Sequence, residues 1–189
     1  MDLGTITLKE AFAALPDPWP IDPLPEIKQE ILNNPARVFS LDDDPTGSQT
    51  VENVSLLTDW SVESLKREFG SEQEASFILL NTRSMTGIEA EIINRQVGKN
   101  LYEASRSCGE KVAVISRSDS TLRGHFPREV LALADSILPD YDALIFIPFF
   151  WEGGRYTIND IQYVSDGELL TPVGETPFAQ DAVFAYKSS

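Results

Sequence analysis

Three consecutive carboxylates, Asp42, Asp43 and Asp44, follow a short apolar stretch and precede a Pro45-Thr46-Gly47 turn. Carboxylates this close repel one another, so the cluster favours a cation, or a substrate hydroxyl whose proton one carboxylate can take. Proline and glycine shape a tight turn whose backbone N–H groups can face a ligand around Thr46 and Gly47. The alternative is a solvated acidic turn that caps a helix.

Two further clusters pair arginine with small polar residues. In Asn81-Thr82-Arg83-Ser84, Arg83 can hold a carboxylate through paired hydrogen bonds. The sequence SRSDSTLRGH, residues 116–125, combines two cations, one carboxylate and four hydroxyls. Such a loop can bind a polyhydroxylated acid, with arginine on the carboxylate and with Asp and Ser on the hydroxyls. The candidates in this loop are Arg117, Asp119, Ser120 and Arg123. Exposed arginines beside helix caps are the alternative for both clusters.

A fourth cluster, residues 148–157, places Gly154 and Arg155 after an aromatic run. Two glycines and an arginine behind a strand suit a loop that faces an anion. The aromatic residues could instead form a plain hydrophobic wall.

Composition excludes several classes of function. The chain has 189 residues with 30 acidic and 15 basic side chains, a formal net charge of −15, so no basic surplus exists for binding nucleic acid. Cys108 is the single cysteine and His125 the single histidine, which argues against a disulfide, a Cys-rich or His-rich metal site and a Ser-His-Asp triad. No phosphate-loop or dinucleotide-binding motif occurs, so we expect no metal and no bound nucleotide in this chain alone.

The elements that must position these clusters alternate between short apolar runs and amphipathic stretches. Strands are predicted at Val38–Leu41, Val54–Thr58, Phe77–Leu80, Lys111–Ile115 and Ala143–Ile147. Helices are predicted at Leu8–Leu15, Pro25–Asn33, Ser61–Phe69, Ile88–Ser107 and Phe126–Leu138. This alternation predicts a three-layer α/β/α fold with a mainly parallel, Rossmann-like sheet. Because ligands bind at the carboxyl ends of parallel strands, the polar clusters should share one edge of that sheet.

Residues 1–36 form a predicted N-terminal extension with short helices and a proline-rich stretch, and residues 37–189 form the predicted domain. No apolar stretch is long enough to span a membrane, and no signal sequence is visible at the N-terminus. We therefore expect a cytoplasmic protein with no membrane or nucleic-acid partner.

Together the clusters resemble one family, the four-carbon acid-sugar kinases, which act on threonate, erythronate or 3-oxo-tetronate. The resemblance spans residues 37–189. Its motifs are Asp43-Asp44-Pro45-Thr46-Gly47, Asn81–Ser84, Asp119-Ser120-Thr121-Leu122-Arg123-Gly124, Gly154-Arg155-Tyr156-Thr157 and Glu175–Asp181. The sugar specificity stays open, because the family more often has lysine at the position of Arg117 and asparagine at that of His125, and because Asp42 is an additional acid.

The resemblance implies a substrate-binding N-terminal domain that works with a C-terminal ATP-binding domain. That second domain is expected outside this chain, in the continuation of a longer protein or in a separate chain. The complete enzyme would use ATP and Mg²⁺ to phosphorylate a small sugar acid, and this domain alone would be inactive. Asp43 or Asp44 would act on the attacking hydroxyl. The substrate-binding residues would be Thr46, Gly47, Arg83, Arg117, Asp119, Ser120, Arg123, Gly154 and Arg155.

Two other interpretations stay open at this point. One is a haloacid-dehalogenase-like phosphatase, because its nucleophile motif is matched by Asp42-x-Asp44-x-Thr46 after a strand. Asp42 would then attack phosphorus. A non-catalytic domain that senses a sugar acid would carry the same binding residues. The oligomeric state is left open, with a homodimer as one option.

Overall fold

The computed structural model describes residues 4–118, 123–137 and 143–180, and the chain divides into two units. The larger unit takes its described residues from 22–118, 125–137 and 143. The smaller unit takes them from 4–21, 123–124 and 144–180. None of the helices in these ranges is long and apolar enough to cross a lipid bilayer.

A four-stranded parallel sheet organises the larger unit. Its strands are β2 (Arg37–Asp42), β3 (Ser55–Leu57), β4 (Ala75–Leu79) and β5 (Val112–Arg117), in the spatial order β3-β4-β2-β5. Pairing places Asp42, the last residue of β2, beside Leu79 of β4 and Arg117 of β5. The carboxyl ends of the two central strands and of β5 therefore lie level with one another.

Three helices pack against this sheet: α3 (Val62–Phe69), α4 (Gly87–Cys108) and α5 (Arg128–Ile137). A fourth helix, α2 (Leu24–Asn33), precedes β2 and has no buried residue. The start of α4 is fixed by a capping box, in which Thr86 Oγ1 accepts from Glu89 N at 3.3 Å and Glu89 Oε2 accepts from Thr86 N at 2.8 Å. The cap therefore fixes the residue at which the turn after β4 stops and α4 begins.

The core of the larger unit lies between the sheet and helices α3, α4 and α5. Phe39 and Leu41 of β2 and Ile78 of β4 are buried against Leu65 of α3 and Leu101 of α4. Successive side chains of a strand point to opposite faces. Because Phe39 and Leu41 face this core, Asp42 points to the other face of the sheet.

The smaller unit is an antiparallel sheet with one short helix. It contains β1 (Ile6–Thr7), α1 (Leu8–Ala13), β6 (Arg155–Ile158), β7 (Ile161–Asp166) and β8 (Leu169–Pro172), with strand order β1-β8-β7-β6. Ala11, Tyr163 and Leu170 form its buried cluster. The boundary between a predicted extension (residues 1–36) and a predicted domain (residues 37–189) stays a prediction. Within the smaller unit, Ile6 from the first of these segments pairs with Leu170 from the second.

The predicted fold class is confirmed as a mixed α/β protein whose parallel sheet is flanked by helices. The fifth strand predicted at Ala143–Ile147 is wrong, because this segment has no regular structure and Ile145 is 80% exposed. An apolar run becomes a strand only when a neighbouring strand accepts its backbone hydrogen bonds. Residues 148–157, expected as a turn after that strand, instead lead into β6, a strand that the sequence did not predict.

Candidate functional site

Backbone hydrogen bonds tie together three segments at the carboxyl edge of the parallel sheet. Leu80 N donates to Asp42 O at 2.8 Å, and Arg83 N donates to Asp43 O at 3.3 Å, which joins the turn after β4 to the acidic turn after β2. Asp43 N donates to Arg117 O at 3.4 Å, which joins the acidic turn to β5. The predicted meeting of Asp43, Arg83 and Arg117 follows from this backbone pattern.

Arg83 bridges two of the three carboxylates. Its Nε lies 3.4 Å from Asp43 Oδ2 and its Nη2 lies 3.5 Å from Asp43 Oδ1, while Nη1 pairs with Asp44 Oδ2. The Arg83 side chain is only 22% exposed, so these ion pairs are partly shielded from solvent. Asp43 and Asp44 can therefore stay ionised side by side.

Asp44 is well supplied with hydrogen-bond donors. Its Oδ1 accepts from Thr46 N at 2.7 Å and from the Thr46 hydroxyl, so the Pro45-Thr46 turn folds back onto the carboxylate. Burial opposes ionisation of Asp44, but the Thr46 hydrogen bonds and the positive charges of Arg83 and Arg117 outweigh it. The pKa of Asp44 consequently lies below its ordinary value.

Asp42 is in the opposite situation. It has no exposed surface, and neither carboxylate oxygen has a hydrogen-bond partner in the described part of the chain. The nearest cation is Arg117, with Nη1 at 3.7 Å from Asp42 Oδ1. Burial, with smaller contributions from Asp43 and Asp44, raises the pKa of Asp42 to about 6, and Arg117 offsets only part of that rise.

Gly47 packs directly against the buried Asp42 carboxylate and the Arg117 guanidinium. A Cβ at this position would overlap Asp42 Oδ2 and Arg117 Nη1. The glycine in the motif is therefore required by close approach, because its backbone covers the Asp42 carboxylate. The sequence had assigned Gly47 to the shape of the turn and to substrate binding, and its packing against Asp42 was not foreseen.

A small polar cavity lies behind the acidic turn. It has a volume of about 10 Å³, room for about one water molecule, and its walls include Asp43, Thr82, Asn94, Ser118 and Glu129. Asn94 and Glu129 are each 2% exposed. Neither residue stands out in the sequence, because Asn94 lies within an apolar helical stripe and Glu129 within an ordinary first helical turn. The available signal was a polar residue in that apolar stripe.

His125 lies near this cavity and makes a structural contact. Its Nε2 is 3.0 Å from Thr82 O, and its backbone N donates to Glu129 Oε1 at 3.4 Å. These bonds join the start of α5 to the turn after β4. His125 thus helps to hold the turn that carries Arg83.

The predicted site residues fall into three groups. The structure brings together Asp43, Asp44, Thr46, Gly47, Arg83 and Arg117 in the larger unit. Asp119 and Ser120 lie outside the described residues. Arg123, Gly154 and Arg155 belong to the smaller unit. Their roles in binding stay predictions.

Arg155 and Gly154 serve local structure within the smaller unit. The Arg155 guanidinium donates to Gly153 O and lies over the ring of Phe178 at 5.5 Å. Gly154 has φ 63° and accepts from Ser165 N at 2.9 Å, and a Cβ there would overlap Ser165 Oγ. A glycine is needed at this position for both reasons.

The assembled cluster suits recognition of a small ligand that carries both a carboxylate and hydroxyl groups. Arg117, with its side chain 45% exposed, offers a cation to a carboxylate, and Asp43 and Asp44 offer acceptors to hydroxyls. In the described ranges, no three His, Cys, Asp or Glu side chains are placed to hold one metal ion.

Comparison with known proteins identifies the kind of domain. A family model described as a sugar-binding N-terminal domain matches residues 38–189, most of the chain and all of the segments that form the cluster. No curated protein matches the chain.

Proposed function

Because the chain belongs to the family of sugar-binding N-terminal domains, the domain of the four-carbon acid-sugar kinases, we propose that it binds a four-carbon sugar acid for ATP-dependent phosphorylation. The observation that carries the proposal is the meeting of Arg83 and Arg117 with Asp43 and Asp44 at the carboxyl edge of the sheet. Such an edge is where ligands bind in parallel α/β sheets.

In this proposal the two arginines have different tasks. Arg117 binds the substrate carboxylate, because its side chain is half-exposed and its one described ion pair is a loose contact of 3.7 Å. Arg83 is already engaged with Asp43 and Asp44, so it chiefly fixes those carboxylates and adds positive charge nearby. Arg123 stays a second candidate for the carboxylate, and Asp119 and Ser120 stay candidates for hydroxyl binding.

Asp44 accepts a hydrogen bond from the hydroxyl that receives the phosphoryl group. A carboxylate with a lowered pKa is a weak base, so we assign Asp44 to orienting that hydroxyl rather than to removing its proton early. Phosphoryl transfer relies mostly on positioning and on charge stabilisation. Asp43, held by the same arginine, is the second candidate for this role.

ATP and Mg²⁺ are proposed to come with a nucleotide-binding domain. The described residues do not form a metal site of their own, and the sequence contains no phosphate loop. Bound Mg²⁺ and ATP would supply the phosphoryl group and neutralise its charge. The task of this domain is to hold the sugar acid with its hydroxyl exposed.

The phosphatase alternative is not favoured. Asp42 would have to attack phosphorus in that mechanism, and Asp42 has no exposed surface beneath Gly47. A nucleophile must reach within about 3–3.5 Å of the atom that it attacks. The buried position of Asp42 does not allow such an approach without unfolding of the turn.

Isothermal titration calorimetry tests the proposal. The chain is titrated with threonate and erythronate, with the uncharged polyols threitol and erythritol, and with ATP and Mg²⁺. We expect the sugar acids to bind, the polyols to bind at least tenfold more weakly, and ATP not to bind. Equal binding of acids and polyols, or no binding of any sugar acid, would contradict the proposal.

Matched arginine variants localise the binding. Arg117→Gln should weaken sugar-acid binding by about 30-fold, the loss expected for one charge-assisted contact of about 2 kcal/mol. Arg95→Gln is the control, because Arg95 lies on the same unit and its ion pair in the described part of the chain is a helix-surface contact with Glu91, at 3.3 Å. The Arg95 variant should bind like the unmodified chain.

A further inference from the structure

Asp42 is a buried carboxylate to which the proposed mechanism assigns no role. It has no exposed surface, and its two oxygens lack hydrogen-bond partners among the residues that the structure describes. A buried ionised carboxylate without donors is costly, and such groups normally acquire donors or become neutral. The position is therefore suited to a carboxyl group that changes protonation state.

The nearest cation, Arg117, can pair either with the Asp42 carboxylate or with the carboxylate of a ligand. The pairing of β2 and β5 fixes the Arg117 backbone next to Asp42. Gly47 packs closely against the side chains of Asp42 and Arg117. The 3.7 Å gap from Arg117 Nη1 to Asp42 Oδ1 is too long for a good hydrogen bond. Because the Arg117 side chain is 45% exposed, a ligand carboxylate can approach the same guanidinium from solvent.

The charges around Asp42 make its protonation state important for binding an anion. Asp43 and Asp44 lie on the same turn, Arg117 reaches in from β5, and Arg83 from the turn after β4 pairs with Asp43 and Asp44. Among the described residues of the larger unit, three ionised carboxylates would face two guanidinium groups, an excess of negative charge that repels an anionic ligand. With Asp42 neutral, the charges of the cluster balance.

We propose that Asp42 is a positioning residue that takes up one proton from the buffer when an anionic sugar acid binds, so that Arg117 turns its charge from Asp42 to the ligand carboxylate. This inference rests on the proposed function, because it requires a carboxylate ligand at Arg117. The proton forms an O–H bond on the Asp42 carboxylate, and no other bond changes. Asp42 does not touch the ligand and acts only through Arg117.

The raised pKa of Asp42 agrees with the geometry. At about 6 in the unligated chain, the carboxyl group is mostly ionised at pH 7.5 and mostly neutral at pH 5. A bound anion raises this pKa further. Binding should therefore take up a proton at pH 7.5 but almost none at pH 5, and affinity should rise as the pH falls towards 6.

Calorimetry in buffers with different ionisation enthalpies measures the proton directly. Threonate and erythronate are titrated into the chain in MOPS and in Tris at pH 7.5, and in acetate at pH 5. We expect uptake of at least about half a proton per ligand at pH 7.5 and affinity about tenfold tighter at pH 6 than at pH 7.5. A merely structural carboxyl group would give the same binding enthalpy in both buffers.

Asp42→Asn tests the assignment, because asparagine resembles the protonated carboxyl group. This variant should take up no proton, bind the sugar acid at pH 7.5 about as tightly as the unmodified chain does at pH 6, and show no pH dependence between 6 and 7.5. Its control is Asp135→Asn, a residue of α5 with no part in the cluster, which should keep the proton uptake.

The outcomes separate this inference from the proposed function. No sugar-acid binding at any pH would overturn both. Binding without proton uptake, or uptake that persists in Asp42→Asn, would overturn only the inference. If Asp42→Asn does not fold, ¹³C NMR of the aspartate carboxyl groups in the unmodified chain replaces it. The Asp42 resonance must then move to its protonated shift on adding ligand at pH 7.5, and an unchanged resonance would overturn the inference.

Discussion

Asp42 and Asp44 stand two positions apart on one turn and have opposite environments. Asp44 accepts hydrogen bonds from Thr46 N and the Thr46 hydroxyl and pairs with Arg83, so its charge is stabilised. Asp42 has no donor among the described residues and only a loose contact with Arg117. The pKa of Asp44 is lowered and that of Asp42 is raised to about 6.

The difference shows that donors and burial, rather than residue type, decide what each carboxylate can do. A donor-rich carboxylate remains ionised and can orient a substrate hydroxyl. A carboxylate without donors can change its protonation state near neutral pH and so couple ligand binding to a proton.

Arg83→Gln removes the cation that Asp43 and Asp44 share. We expect a loss of about 3 kcal/mol in the free energy of unfolding, because two buried carboxylates would repel each other without compensation. Urea denaturation at pH 7.5 measures this loss. Arg95→Gln, which breaks only a surface ion pair, should cost less than about 0.5 kcal/mol. Similar stabilities for the two variants would show that Arg83 does not hold the acidic turn.

Asp42→Asn should change stability in a pH-dependent direction. The unfolded carboxyl group ionises near 3.8 and the folded one near 6, so the folded state holds the proton more tightly. Ionisation therefore costs stability as pH rises from about 4 to 6, and the full cost, about 3 kcal/mol, is present above pH 6. The variant lacks this cost. The free energy of unfolding of Asp42→Asn minus that of the unmodified chain should therefore increase by about 2–3 kcal/mol from pH 4 to pH 7.5.

Urea denaturation of both chains at several pH values checks this expectation. The comparison uses the difference between pH values, so any packing effect of the substitution cancels. A stability difference that stays constant from pH 4 to 7.5 would mean that Asp42 titrates normally, and the contrast with Asp44 would be lost.

Gly47→Ala tests the close packing over Asp42. The added methyl group overlaps Asp42 Oδ2 and Arg117 Nη1, so we expect about 2 kcal/mol of destabilisation and weaker sugar-acid binding. Thermal unfolding and calorimetry measure the two effects. Ser48→Ala in the same turn serves as the matched control and should change neither by much. An alanine variant as stable as this control would show that Gly47 does not pack against Asp42 and Arg117.

Thr46→Val should have the smallest effect, because it removes the hydroxyl donor of Asp44 and leaves the backbone donor. We expect about 1 kcal/mol of lost stability at pH 7. Because the pKa of Asp44 is lower in the folded chain than in the unfolded chain, ionised Asp44 stabilises the fold at pH values above the unfolded-state pKa. This stabilisation is lost as the pH falls through the folded-state pKa. The cost should therefore shrink below about pH 4. Thr46→Ser keeps the hydroxyl and should behave like the unmodified chain; a pH-independent cost would contradict the assignment.

Sequence patterns predicted that the acidic turn and the turn with Arg83 follow parallel strands, because strand and helix periodicity depends on local residue order, whereas Gly154 and Arg155 lie in the smaller unit. The strands around Phe39 and Ile78 were predicted within two residues, and the meeting of Asp43, Arg83 and Arg117 followed from their places at the ends of parallel strands. The confirmed α/β class rests on the same alternation.

Other features depended on three-dimensional contacts that local residue order does not encode. The burial of Asp42 arises from the approach of Gly47, which the motif alone did not reveal. The strand predicted at Ala143–Ile147 had the right apolar residues but no neighbouring strand. Glu129 lines the cavity because the first turn of α5 lies beside Thr82 and Asn94.

The central claim is that one cluster on the carboxyl edge of the parallel sheet binds a sugar acid. The most direct measurement is ¹H–¹⁵N NMR of the assigned chain during titration with threonate or erythronate. The account predicts saturable shifts of the backbone amides of Asp43, Asp44, Thr46, Gly47, Arg83 and Arg117 with a common dissociation constant. Saturable shifts confined to other parts of the chain, or no saturable shifts at all, would contradict it.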